Sequence, residues 1–294
     1  MTIYNALATA DIASTWDASL ELGFEQNSRG SRLKSKRHVG PLYVQKPFYP
    51  EGENVAHVYI LHPPGGLVSG DRLDITVRAG SGSHALLTTP GAGRVYRARH
   101  DHTPQCQTIT LDLQADAVVE WLPLETIVFN GARTRLQTRV NLQPGARYIG
   151  WEVTSLGLPA SHSAFDSGEV QQSLTIAQAD TPLLIERLRL QGEDQGLFSA
   201  RAGMQGLPIN GLFVAGPFSP TQAKDDLLGL LREQAEASDF SNCLAGVSLV
   251  NGFLVGRYLG ACSEQGRNLF ERWWSVVRPE LLARAACRPR IWST

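Results

Sequence analysis

The sequence predicts a mainly β fold: a large multi-stranded β-sheet body, a sandwich or a β-helical stack, with a small α-helical portion near its C-terminus. Three observations carry this. Apolar and polar residues alternate with a period of two in run after run, which marks half-buried strands. Gly- and Pro-rich turns close those runs, and no helical segments recur between them, which counts against a doubly wound α/β sheet. A 3.6-residue period appears only after residue 219.

In chain order, residues 1–17 are Ala/Thr/Asp-rich with weak pattern, and order is not expected there. Leu20 to Gly23 starts a first strand. Arg29 to Arg37 (RGSRLKSKR) reads as a basic, turn-like segment, either a solvated face or a partner-binding patch with Arg32 and Arg37 as contacts. Ala56 to His62 is one strand, and its parity sets His57 and His62 on opposite faces. From Asp71 to Arg78, Leu73, Ile75 and Val77 share one face. Ile109, Leu111 and Leu113 do the same in Gln107 to Gln114. Ala117, Val119 and Trp121 oppose Val118, Glu120 and Leu122, and Leu136, Thr138, Val140 and Leu142 oppose Arg135, Gln137, Arg139 and Asn141. Arg147 to Val153, Val170 to Ile176 and Leu183 to Leu190 behave similarly. Thr221 caps a helix through Leu231 and Ala235, with Asp225 and Asp226 at its positive end. Leu244 to Leu259 forms two buried strands around Asn251-Gly252, a dipeptide suited to positive φ. Ser263 caps a second helix holding Trp273 and Trp274, which Pro279 ends or kinks before a further short helix to Ala286. The whole of 1–294 reads as one domain, with 219–294 as its helix-containing portion.

Composition sets limits on function. The chain has 294 residues and a net charge of −1, which gives no reason to expect nucleic-acid or membrane affinity. Lys occurs only at 34, 36, 46 and 224, against 23 Arg, and Arg suits partly buried, bidentate pairing at protein interfaces. Four widely spaced cysteines without a CxxC pair suggest neither a zinc site nor a disulfide framework and fit a reducing cytoplasm. No charged-then-apolar leader opens the chain.

Catalytic signatures are missing: no GxSxG, no HExxH and no GxxxxGK[ST] occurs, and Gly91-Ala-Gly-Arg-Val-Tyr96 lacks the third glycine of a dinucleotide fingerprint. Six of the seven histidines lie between His38 and His102, among Pro/Gly turns. Asp71 has two readings: it pins the Gly65-Gly66 to Gly70 turn by accepting backbone N–H groups, or it lines an internal polar passage with His62. Glu120 and Glu125 flank Trp121 and Pro123. They serve a structural or passage-lining role, or form the acid–base pair of a β-sandwich carbohydrate-active enzyme or sugar-binding module. His100-Asp101-His102 reads as a solvated turn. The pair Trp273 and Trp274 is either core or a partner contact.

Several motifs, in order along the chain, resemble the UreD (UreH) family of urease accessory proteins. They are GSRLKSKRHVGPLYVQKPFYPEG, HVYILHPPGGLVSGD, HALLTTPGAGRVYRA, EWLPLETIVFNGA, LVGRYLG and the terminal PRIWST. Leu158, His162 and Ser163 depart from the family's usual Arg, Gly and Glu, and Ala92-Gly93-Arg94 replaces Ala-Thr-Lys. The resemblance implies a β-rich, non-enzymatic maturation factor that sits on the urease apoprotein. Such a factor recruits UreF and, through it, the GTPase UreG, and helps deliver Ni²⁺ without holding a cofactor tightly. An internal passage is the implied nickel route, with His62, Asp71, Glu120, Glu125, His38 and His84 as the candidates to line it. A carrier must release what it carries, so scattered oxygen and imidazole groups suit transit better than a closed site, and a tight metal-storage protein is the third function to weigh.

Overall fold

The computed structural model describes residues 15–219, 225–236 and 242–293. Most of the weakly patterned N-terminal stretch and the expected cap Thr221 lie outside the described residues.

The alternating runs become strands that switch between two facing sheets. β1 (Asp17–Asn27) and β2 (Gly30–Val39) form a hairpin in the first sheet, and β3 (Tyr43–Val44) and β4 (Ala56–Leu61) begin the second. β5 (Arg72–Ala79) returns to the first and β6 (His84–Thr88) to the second. After the short β7 (Gly93–Val95), β8 (Gln105–Leu113) joins the first sheet and β9 (Val118–Trp121) the second. A short β10 (Thr126–Val128) then leads to β11 (Arg133–Leu142) in the first and β12 (Arg147–Leu156) in the second. Among the described residues the first sheet is completed by β13 (Glu169–Gln178) and β14 (Thr181–Gln191), in the order β14-β13-β11-β8-β5-β1-β2. The second ends with β15 (Ile209–Gly216), β16 (Cys243–Val250) and β17 (Phe253–Gly260), in the order β16-β17-β15-β12-β9-β6-β4-β3.

Of the two topologies expected, the structure is the β-helical one. β1, β5, β8, β11 and β13 pair in parallel, as do β4, β6, β9 and β12, while β7 and β10 line a short third side. Parallel neighbours need a long crossover, ordinarily a helix. Here the crossover is a strand of the opposite sheet, which explains why helical pattern is missing from the sequence between strands. Ala79, Leu113 and Leu142 stack at one level although their sequence separations are unequal, so no fixed repeat is visible.

The inward residues of both sheets, including Leu20, Leu73, Ile75, Val77, Leu111, Val119 and Val140, form one core. The opposite face of the second sheet forms another with helices α2 (Asp225–Glu236) and α3 (Ser263–Leu282), a short α1 (Gln195–Ser199) lying elsewhere. Trp151, Phe213, Phe270 and Trp273 pack there with ring centroids 5.5–6.5 Å apart. Each fully buried aromatic side chain contributes about 2–3 kcal/mol. The other face of the first sheet is not covered by α2 or α3.

Four expectations are corrected. Arg29 to Arg37 is not turn-like: all but its first residue belong to β2, whose charged tip extends into solvent as a strand. β16 is an edge strand with Leu244 and Leu249 exposed, so only β17 of that hairpin is buried. Asn251 and Gly252 do adopt positive φ, 48° and 81°. Cys262 rather than Ser263 occupies the N-cap of α3, without a side-chain cap. Pro279 neither ends nor breaks α3, which runs on to Leu282. The missing N–H falls in the last turn, and the left-handed Ala283 closes the helix by donating to the Pro279 carbonyl.

Candidate functional site

Between the sheets lies a cavity of about 340 Å³. One end is formed by His62, the Gly65-Gly66 turn and Thr89 to Arg94; the other by Thr138 on β11, Glu152 and Thr154 on β12, and Gln172 on β13. Close approach of two turns shapes the first end. Leu67 N–H donates to the Arg94 carbonyl at 2.8 Å, and a Cβ on Gly66 would lie 2.5 Å from the Tyr96 ring. A second cavity of about 210 Å³ shares Glu152 and Gln172 with the first. It continues past Asn210 to Glu186 on β14 and Arg257 on β17, which pair at 2.5 Å and link the two sheets.

Glu152 stands where the two cavities meet. The Thr138 hydroxyl donates to Oε1 at 2.5 Å and the Gln172 amide to Oε2 at 2.6 Å; Thr154 in turn donates to Gln172 at 3.0 Å. Burial raises the Glu152 carboxyl above the usual carboxylate range, and these two donors only partly offset it. At the far end, burial lowers the His62 imidazole below its ordinary value, against the pull of Asp71. An imidazole nitrogen at one end and a carboxyl oxygen at the other are both donor types that a borderline divalent cation takes.

The remaining candidates are placed elsewhere. Asp71 does not line the cavity: its Oδ2 accepts from the Val68 N–H at 2.8 Å, and its own N–H donates to the Val68 carbonyl at 3.0 Å. That is the turn-pinning role. His57 and His62 do lie on opposite sides of β4, the former buried against the helical layer and the latter in the cavity. Glu125 faces α3, with Oε2 3.7 Å from Arg267. His38 is exposed on β2, with its nearest ring neighbour Tyr43 at 6.3 Å. His100 to His102 forms an exposed turn.

Glu120 and His84 are joined, but in a buried ion cluster that anchors α3. His84 Nε2 is 2.7 Å from Glu120 Oε1, Trp274 Nε1–H donates to Oε2 at 2.6 Å, and Arg278 Nη2–H donates to Oε1 at 2.9 Å. Arg278 also pairs with Glu51 at 2.7 and 2.8 Å and reaches the Ala285 carbonyl; Glu51 in turn meets His57 at 2.6 Å. Burial opposes ionisation of Glu120, yet the His84 contact and the Arg278 charge outweigh it and hold the carboxyl at about 2. Both carboxylate oxygens of Glu120 are occupied and the residue is fully buried, so it is not presented with Glu125 to a glycoside. Trp273 and Trp274 are core, 0% and 2% exposed, and offer no surface to a partner. Arg32 is half-buried, paired with Glu53 at 2.8 Å and stacked on Tyr49, whereas Arg37 is exposed.

Glu152, Gln172, Thr138, Glu51 and Arg278 escaped the sequence reading. A signal for Glu152 existed: Tyr148, Ile149, Trp151, Val153 and Leu156 make both faces of its strand apolar, so a carboxylate among them has to face the interior. Among the described residues no group of three or more His, Cys, Asp or Glu is placed to hold a metal ion, and no helix is long and apolar enough to cross a membrane.

Comparison with known proteins converges on one family. The family model for the UreD urease accessory protein matches residues 17–293. A urease accessory protein UreD of Marinomonas sp. (strain MWYL1) is 47% identical over 287 residues, covering 96% of this chain and 91% of that protein. The one from Dechloromonas aromatica (strain RCB) is 40% identical over 295 residues, covering all of both chains. That of Pseudomonas putida (strain W619) is 40% identical, with 95% of each chain covered. With its β-helical body and nearly full-length match, the chain belongs to the UreD family of urease accessory proteins and has a role in urease maturation.

Proposed function

We propose that this protein is a cytoplasmic nickel-insertion scaffold with no reaction of its own. It binds the urease apoprotein, couples it to UreF and through UreF to the GTPase UreG, and lets Ni²⁺ pass between its two sheets. The single observation that supports the passage is Glu152, shared by two cavities that together run from the His62 turn to the Arg257–Glu186 pair. A cation leaving water needs some negative charge along its path. It also needs few enough ligands at any one point to move on. Glu152 is the acidic group on that path, held in place by Thr138 and Gln172, and His62 places a ring nitrogen nearer the other end.

The test is urease activation under nickel limitation in cells lacking this protein. Wild-type complementation restores activity; Glu152→Gln and His62→Ala, expressed to the same level, restore about tenfold less. Urease that keeps its nickel content and activity after deletion would refute the scaffold role. Full activation by Glu152→Gln would refute the passage alone.

A further inference from the structure

The uncovered face of the first sheet is electrostatically uneven. Toward β1 and β2 acidic and basic groups are interspersed: Arg78 pairs with Glu21 at 2.9 Å and Lys34 with Glu25 at 2.6 Å. Toward β14 they are not. Register aligns Arg135 with Gln171 and Arg189, Gln137 with Ser173 and Arg187, and Arg139 with Thr175 and Ile185. Arg135, Arg139, Arg187 and Arg189 all lie exposed there, and only Arg189 has an ion-pair partner among the described residues, Glu169 at 3.0 Å. Neighbouring strands stand about 4.8 Å apart, so the four guanidinium groups share a patch about 10 Å by 13 Å.

Folding does not require this arrangement. Like charges gathered on one face repel one another, and the chain as a whole carries no positive excess to distribute. The patch contains arginines and no lysine, with the neutral Gln137, Gln171, Ser173 and Thr175 between them and Ile185 46% exposed at its rim. Arginine forks match carboxylates two bonds at a time, and an exposed aliphatic group among them adds desolvated contact. We infer that the β11–β13–β14 end of the open sheet docks a carboxylate-rich protein surface. The inference rests on the maturation role proposed above, because it assigns a surface to one of the partners named there.

The experiment compares the full-length wild-type chain with Arg135→Glu/Arg139→Glu/Arg187→Glu, measuring Kd for urease apoprotein and for UreF at low and high salt. For at least one partner, wild-type binding is expected to weaken with salt and triple-variant binding to be about 30-fold weaker or more. Lys34→Glu, on the charge-matched half, is expected to leave both unchanged. A triple Arg→Gln variant adds no repulsion and serves if the Glu variant misfolds; a salt-sensitive loss of several-fold is expected of it. Partners that bind the variants as tightly as wild type would overturn the inference and leave the maturation role standing. So would a loss confined to a short DNA duplex, or to self-association of the wild-type chain. A wild-type chain that binds neither partner would overturn both.

Discussion

Two glutamates inside this protein have opposite electrostatic fates: Glu120 is fully buried in an ion cluster, and Glu152 lines the cavities. Glu120 is met by His84, Trp274 and Arg278, and its carboxyl is held at about 2 against an ordinary value of 4.5. A carboxyl depressed on folding stabilises the native state above its unfolded value, and that stability is lost as pH falls through the folded one. The contribution of Glu120 is therefore complete above about 4.5 and disappears toward about 2. Glu152 runs the other way: its value is raised on folding, so the ionised form costs stability as pH climbs past 4.5. A carboxylate kept at a cost to the fold is one to test for function. For Glu120→Gln, the amide would set N–H donors against those of Trp274 and Arg278, at a cost of about 3–5 kcal/mol at neutral pH. Urea unfolding from pH 7 down to pH 2 checks both parts. The variant should start less stable and lose less on acidification, and parallel curves would show that the cluster is not anchored by charge.

At the scale of elements, α3 is held by its aromatic face and by the fork of Arg278, and β17 must come very close to receive it. A Cβ on Gly256 would lie 2.2 Å from Cζ3 of Trp273, an indole locked in place by its own donation to the Leu231 carbonyl at 3.0 Å. Gly256→Ala is expected to cost about 1–3 kcal/mol by overpacking and to redden the Trp emission as the helix lifts. Unchanged melting and emission would mean that the helix shifts freely. Period-two alternation made the strands legible, with their inward faces, and Asn251-Gly252 marked the last hairpin. The pairing was not legible, since alternation is the same whether a strand's neighbour is the next in sequence or one coil away. Long β2 was misread because Arg, Lys and Ser at an exposed edge mimic a loop. At the site, His62 was found because histidine beside a Pro/Gly turn stands out. Glu152 was passed over because its apolar strand was read only for its core face. Arg278 reaches Glu120 across 158 positions of sequence, and no local pattern encodes that contact.

For the molecule as a whole, the β-helical stack gives a maturation factor an interior that a thin sandwich of meandering strands lacks. Its two sheets are spaced by side chains, and polar positions on β11, β12 and β13 turn part of that space into cavities. What those cavities lack among the described residues is a set of three or more ligating groups at one point. Storage requires such a set; transit is hindered by it, since a deep well along the path would trap the ion. Ni²⁺ titrated into the isolated chain is therefore expected to bind with a Kd weaker than about 10 μM by calorimetry, that is, with less than about 7 kcal/mol of binding free energy. Glu152→Gln should weaken that uptake further, and Glu120→Gln, which acts on the anchor of α3, should not do so at a pH where it is folded. A tight site, with one ion per chain held at nanomolar Kd, would mean that the protein retains Ni²⁺, and the proposed conduit would have to give way to a store.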